Sequence, residues 1–251
     1  MGAYMIIILP LTFIYGILIG SFLNVCIYRI PKHETIVTTP SHCMSCGYHL
    51  KWYDLVPLFS WLFLKGRCRK CKAKISAQYP IIEAANGFLW LGIIAWCGFT
   101  VEGVLYCLLS SVLLVMAMID ARTKEIPMGL IYFMTLLGIA RIITDYKQWY
   151  LYVIGLFLVS GIFYIAFLVT KGRGIGFGDV HLMAACGMII GAPKIFLAMM
   201  IGCLLGSIIH PLRMAISKTD HELAFGPYLA VGVMTAALFG QPVIDWYLSF
   251  F

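Results

Sequence analysis

Residues 4–23 read YMIIILPLTFIYGILIGSFL, a run without a single charge. About 20 consecutive apolar residues is the length at which an α-helix crosses a bilayer. Several later runs reach about 18 residues or more, and the composition agrees. The chain is 62% hydrophobic and 12% charged, with a mean hydropathy of +0.94, whereas soluble domains are about half apolar and a quarter charged. The expected fold is therefore an all-α polytopic membrane protein. No Lys or Arg precedes the first run and no small-residue cleavage site follows it. It is expected to remain as a span and not to be removed as a signal peptide.

Eight transmembrane helices are expected, at about 4–26, 81–98, 102–119, 127–144, 149–170, 179–192, 195–213 and 224–241. The sixth is short. Gly172, Gly174, Gly176 and Gly178 lead into it and Pro193 marks its end, so it reads as a half-helix or a loop entering the membrane partway. With both termini outside, all of the 18 Lys and Arg except Arg141, Lys147 and Lys194 fall on one face, the last inner loop carrying Arg213 and Lys218. That bias makes the face cytoplasmic. The net charge of +7 is accordingly a topology signal, and nucleic acid is not expected as a partner.

Residues 29–80 form the only sizeable soluble segment, too short to fold easily on apolar burial. The segment contains Cys43-Met-Ser-Cys46 and, 21 residues further on, Cys68-Arg-Lys-Cys71. Each C-x-x-C turn aims two thiolates at one point, and two such turns at this spacing read as a closed tetrahedral zinc site. Four thiolates leave no open coordination position, so the metal is expected to be structural. Disulfides are disfavoured on a reducing cytoplasmic face, and with four cysteines available His42 and His49 are not needed. This suggests three parts: a first helix 1–28, a zinc loop 29–80 and a multi-span core 81–251.

Two acids stand at the edges of apolar runs, Asp120 in MAMID and Asp179 in GIGFGD. Ionised groups at the bilayer edge are costly and are candidates for function. Asp120 ends the third expected span and Asp179 begins the sixth, which places both on the same face. Two carboxylates held close share a proton, so one can activate water while the other donates. Gly176 and Gly178 beside Asp179 permit close approach of an extended substrate and torsions other residues resist. The plainer readings are that Asp179 caps its helix and that Asp120 pairs with Arg122 or Lys124. Glu83, just inside the second span, is either an interfacial charge paired with a loop Lys or a contact for substrate. Asn24 is expected to bond across helices and Arg29 to anchor topology.

An ordered set of motifs then resembles a known family. Gly20–Pro31 reads GSFLNVCIYRIP, and the cysteine pairs bracket Trp52–Pro57 (WYDLVP) and Ser60-Trp61. Ile75-Ser76, Tyr79-Pro80 and Glu83 follow, then Ile119-Asp120 with Ile126-Pro127, Gly176-Phe-Gly-Asp179-Val, and Phe225-Gly226-Pro227-Tyr228. Together they are similar to the bacterial prepilin peptidases, aspartyl endopeptidases of the G-x-G-D type. The resemblance implies Asp120 and Asp179 as the catalytic pair and Cys43, Cys46, Cys68 and Cys71 as zinc ligands. Gly176, Gly178 and Glu83 are expected to contact substrate. It further implies a multi-pass protein of the bacterial inner membrane, with its active site facing the cytoplasm. Such an enzyme cleaves the basic leader of prepilin or pseudopilin substrates, then methylates the new N-terminal amine from S-adenosylmethionine. The chain departs from the family pattern at His181, Met128 and the Cys-Met-Ser-Cys turn, none of which removes an acid. The rival reading is a transporter or proton-coupled channel with a zinc-folded cytoplasmic lid, in which the two acids form a proton or cation site.

Overall fold

The structure, a computed structural model, describes residues 4–217 and 224–250. Lys218, counted above among the inner-face charges, lies outside the described residues. The chain divides into two compact units, Met1–Gly103 and Val104–Phe251.

In the first unit α1 (Met5–Arg29) packs along α3 (Gln78–Cys97). Lipid gives apolar side chains no reason to prefer each other, so membrane helices associate through close backbone approach and polar bonds. Both devices are present. Gly16 and Gly20 lie one turn apart on α1, and a Cβ on Gly20 would fall 2.7 Å from Cα of Glu83. Buried Asn86 donates to the carbonyl of Gly16 at 2.7 Å. Asn24 donates to the carbonyl of Tyr79 at 3.1 Å, the bond across helices expected of it.

Between these helices lies the cysteine loop, with one short helix, α2 (Phe59–Phe63). Its two C-x-x-C turns share one backbone pattern. Cys43 N–H donates to Tyr48 C=O and Gly47 N–H to Cys43 C=O; Cys68 N–H donates to Ala73 C=O and Lys72 N–H to Cys68 C=O. Arg29 does more than anchor topology. It is buried, and its guanidinium donates to the carbonyls of Thr35, Thr39 and Pro40 at 2.8–3.4 Å, tying the loop's first segment to the end of α1. Asp54 performs the same service further along: its carboxylate accepts from Lys51 N–H at 3.2 Å and from Arg69 Nε at 2.6 Å. The Arg69 contact joins the middle of the loop to the second cysteine turn.

The second unit contains α4 (Val101–Thr123), α5 (Met128–Thr144), α6 (Trp149–Thr170), α7 (Phe177–Ile190), α8 (Ala192–Ser217) and α9 (Gly226–Leu248). Its most deeply packed long helix is α4. Of its most apolar window 67% is buried, against 39% or less for the other long apolar helices. On α7, Leu182, Met183, Cys186 and Ile189 are wholly buried, and the helix packs against α5, α6 and α8. Gly155 of α6 and Gly187 of α7 meet backbone to backbone, with no room for a Cβ on either.

The expectation of eight spans needs correction. Among the described residues six helices are long and apolar enough to cross a membrane. The segments read as the fourth and sixth spans, α5 and α7, are apolar but have only 17 and 14 residues. At 1.5 Å per residue they measure about 25 and 21 Å, short of a hydrocarbon core about 30 Å thick. The terminators explain the lengths. Pro127 fixes the start of α5, while α7 is bounded by Gly176 and by Gly191, whose φ is +82°.

The α1–α3 contact yields a direct test. Gly20→Val, which drives a side chain into the α3 backbone, should destabilise the protein by about 1–3 kcal/mol. Gly92→Ala, on α3 with nothing within 4 Å of its Cβ position, should be neutral or stabilising by up to about 1 kcal/mol. Thermal unfolding of the two variants in detergent reads both.

Candidate active site

Asp120 lies one turn before the end of α4, and Asp179 is the third residue of α7. They are 5% and 7% exposed, and the charge of Asp120 acts on the carboxyl of Asp179. The structure therefore brings together the two acids that the sequence places 59 positions apart. Neither pairs with a cation among the described residues, so Asp120 is not held by Arg122 or Lys124. Each is instead met by a backbone N–H at a helix start. Gly176 N–H donates to Asp179 Oδ2 at 3.3 Å, and Gly226 N–H, the first of α9, donates to Asp120 Oδ2 at 2.8 Å. The first N–H groups of a helix lack internal partners and carry its positive end, which suits them to a carboxylate.

Asp179 is not the N-cap of the plainer reading: Gly176 holds that position, and Asp179, the third residue of the helix, reaches back to its N–H while standing beside Asp120. Gly226 is a participant that reasoning from local pattern did not select. Its signal was present: Gly226-Pro227 opens the last apolar run, and Pro in the first turn marks a helix N-terminus. The site requires glycine there, because a Cβ would stand 2.7 Å from Asp120 Oδ2.

The glycines of the G-x-G-D string have ordinary torsions. Gly176 has φ −74°, and Gly178 is absent from the glycines with positive φ. What Gly178 supplies is room, since its Cβ would lie 2.9 Å from Cβ of Ile126. That contact presses the Ile126-Pro127 turn between α4 and α5 against the first turn of α7, and so fixes the end of α4 that carries Asp120 relative to Asp179. Phe177, between the two glycines, lies against Phe167 of α6 with the rings tilted 43° and their centres 5.3 Å apart, and meets His181 edge-on at 4.5 Å. His181 Nδ1 lies 2.9 Å from Phe177 C=O.

The first unit holds the other predicted residues. The sulfurs of Cys43, Cys46, Cys68 and Cys71 all lie within 4.8 Å of one another, and Cys43 and Cys71 are 3.8 Å apart. The backbone N–H of Ser45, helped by that of Cys46, brings the Cys43 thiol down to about 6. At Cys71 the Ala73 N–H favours the thiolate, but desolvation and the three neighbouring thiols outweigh it and push the group up to about 11. Four thiols so close cannot all ionise alone, and a cation among them removes the conflict. The cluster thus has the donors and spacing for a tetrahedral metal ion. His42 takes no part; its Nδ1 lies 3.2 Å from Pro40 C=O.

Glu83 is buried on α3, and its partner is no lysine: Oε2 accepts the N–H of Leu58 at 2.7 Å. Leu58 has φ +61° and ψ −54°, the centre of a γ-turn in which Phe59 N–H donates to Pro57 C=O at 2.7 Å, a conformation costly for a branched side chain.

Residues 14–97 match the Bacterial Peptidase A24 N-terminal domain, and residues 107–210 match the Type IV leader peptidase family. Three curated proteins, each named prepilin leader peptidase/N-methyltransferase, are similar along nearly their whole lengths. The one from Stutzerimonas stutzeri is 32% identical, over 96% of this chain and 96% of its own. Those from Bacillus subtilis and Pseudomonas aeruginosa are 32% and 33% identical, over 96% and 95% of this chain and 98% and 93% of theirs. No solved structure matches. With both domains matched in order and relatives 32–33% identical along nearly the whole chain, the chain belongs to the type IV leader peptidase family.

Proposed function

We propose that this protein is a prepilin leader peptidase that also methylates the N-terminus it creates. The observation that carries the reading is the buried pair Asp120 and Asp179, without a cation partner among the described residues and met by backbone N–H groups at the starts of two helices. One carboxylate takes a proton from water as the water's oxygen bonds to the scissile carbonyl carbon. The other donates a proton to the leaving nitrogen as the C–N bond breaks. The pair titrates as a unit, so the roles belong to the pair. The Gly176–Asp179 turn lies beside the scissile bond, where its backbone faces an extended leader. The Lys and Arg of the 29–80 loop, with Arg122 and Lys124 at the end of α4, share one face whether or not α5 and α7 cross, and this charge supports a site at the cytoplasmic surface of the inner membrane, where the basic leader of a prepilin or pseudopilin would be presented while its apolar helix stays in the bilayer. The transport reading fares worse: both acids stand at helix ends, whereas ion-coupling sites lie near the midplane.

The cysteine cluster is assigned to zinc. A tetrahedron of Zn–S bonds about 2.3 Å long has sulfur–sulfur edges of about 3.8 Å, the separation of Cys43 and Cys71. The ion would neutralise the four thiolates and close a loop with little core of its own. S-adenosylmethionine is the methyl donor that the relatives' second activity implies.

Asp120→Asn and Asp179→Asn should each lower cleavage of a prepilin substrate by at least ~100-fold with zinc content unchanged. Mass spectrometry of the product reads this, and full activity in either variant would remove the mechanism. Gly226→Ala, which displaces the Asp120 carboxylate, should lower kcat by about 10- to 100-fold. Metal analysis should find about one zinc per chain. Cys43→Ser or Cys71→Ser should lose most of it and expose the loop to limited proteolysis.

A further inference from the structure

We infer that residues 55–64 are a shallow membrane anchor, lying at the boundary between headgroups and acyl chains of the anionic leaflet on the loop's own side. The segment reads LVPLFSWLFL, ten residues without a charge between Asp54 and Lys65. So short an apolar run cannot span, and belongs either to a buried core or to a membrane interface. It is not core. Leu55, Val56, Phe59, Leu62 and Phe63 are 39–84% exposed, Phe63 the most.

A hydrogen bond sets the depth. Leu58 N–H donates to Glu83 Oε2 at 2.7 Å, and Cα of Glu83 is level with Gly20 of α1, where a Cβ would come within 2.7 Å of it. Gly20 stands nine residues before Arg29, the last of α1, a distance of about 13 Å along the helix axis. The loop therefore turns back toward the bilayer at Leu58, below the level at which α1 ends. Exposed apolar side chains of both helices continue past that level toward the loop: Phe22 of α1 and Ile81 of α3 are 46% and 61% exposed. In such a medium backbone N–H groups must be satisfied within the protein. Phe59 N–H donates to Pro57 C=O, Ser60 to Val56, Leu62 to Leu58 and Leu64 to Ser60, at 2.7–3.0 Å. The polar side chains are satisfied as well: the Ser60 hydroxyl donates to Tyr53 C=O at 2.8 Å and the Trp61 indole to Ile75 C=O at 3.4 Å.

Charge names the partner. Lys51, Lys65 and Arg67 flank the segment and are exposed, and residues 29–80 carry nine Lys and Arg against two acids. Apolar residues between basic flanks fit an anionic lipid surface. Trp52 and Tyr53, exposed just before the run, are of the types that concentrate at that level. A second copy of the chain would bring the same positive charge and be repelled. On its inner side the segment walls a cavity of about 820 Å3, through Leu58, Trp61 and Leu64 with Tyr28, Tyr79 and Glu83. The anchor thus holds one wall of the cavity at a fixed height on the bilayer. Through Trp61, which packs against Gly66, it holds the approach to the second cysteine turn as well.

The test uses the full-length protein in nanodiscs of phosphatidylethanolamine and phosphatidylglycerol. The photo-cross-linker p-benzoylphenylalanine replaces Leu62, Phe63 or Val37 in turn. Val37 is the control: it is 84% exposed, in the segment that Arg29 ties to the end of α1. Irradiation should give phospholipid adducts at 62 and 63 in at least ~10-fold the yield at 37, read by mass spectrometry. Equal yields at the three positions, or adducts at 62 and 63 to protein and not to lipid, would overturn the inference. A double variant, Leu62→Glu with Phe63→Glu, should keep its zinc and be cut by trypsin after Lys65 about 10-fold faster than the wild type in nanodiscs. Cleavage at the wild-type rate counts against the anchor. Should the double variant fail to fold, the adduct yields decide.

Discussion

Asp120 accepts its hydrogen bond from Gly226 across 106 residues of chain, and the second unit is arranged around that contact. A carboxylate in an apolar medium must find either a counter-ion or a set of oriented donors. This protein supplies donors. The N-terminal N–H of α9 serves Asp120 and that of α7 serves Asp179, so the positive ends of two helices replace two cations. A lysine or arginine in the same place would satisfy each acid individually and hold it ionised, which would remove the acid–base asymmetry that hydrolysis needs.

Glycine makes that arrangement sterically possible in three separate ways. Gly226 leaves space for the Asp120 carboxylate, Gly178 admits Ile126 of the α4–α5 turn, and Gly187 lets α7 lie backbone to backbone on Gly155 of α6. The shortness of α7 belongs to the same logic. A helix that begins at a buried acid need not extend to the far side of the bilayer, and its 14 residues are covered by α5, α6 and α8.

The first unit solves a different problem. Its loop has one five-residue helix and few buried side chains. Order comes from cross-links: Arg29 across three carbonyls, Asp54 to Arg69, Glu83 to the N–H of Leu58, and four sulfurs gathered at one point. Three of these use charged side chains on backbone or on each other. A fold built this way leaves a cavity where a larger domain would have a core.

The sequence by itself determined the membrane class, the helix positions to within a few residues, the two cysteine turns and the two acids at helix ends that the structure buries. Each follows from short-range physics: apolar runs of spanning length, the C-x-x-C turn, and the cost of a carboxylate at the bilayer edge. Tertiary structure decided the rest. Hydropathy measures how apolar a segment is and not where Pro127 starts it, so α5 was counted as a full span, whereas the glycines before α7 had already marked that segment as short. Arg29 looked like an anchor because sequence shows its charge but not the carbonyls that the loop folds back to offer it. Gly226-Pro227 was legible as a helix start, but its role was not, because it contributes a backbone N–H and an absent side chain, and only packing reveals which carboxylate occupies that space.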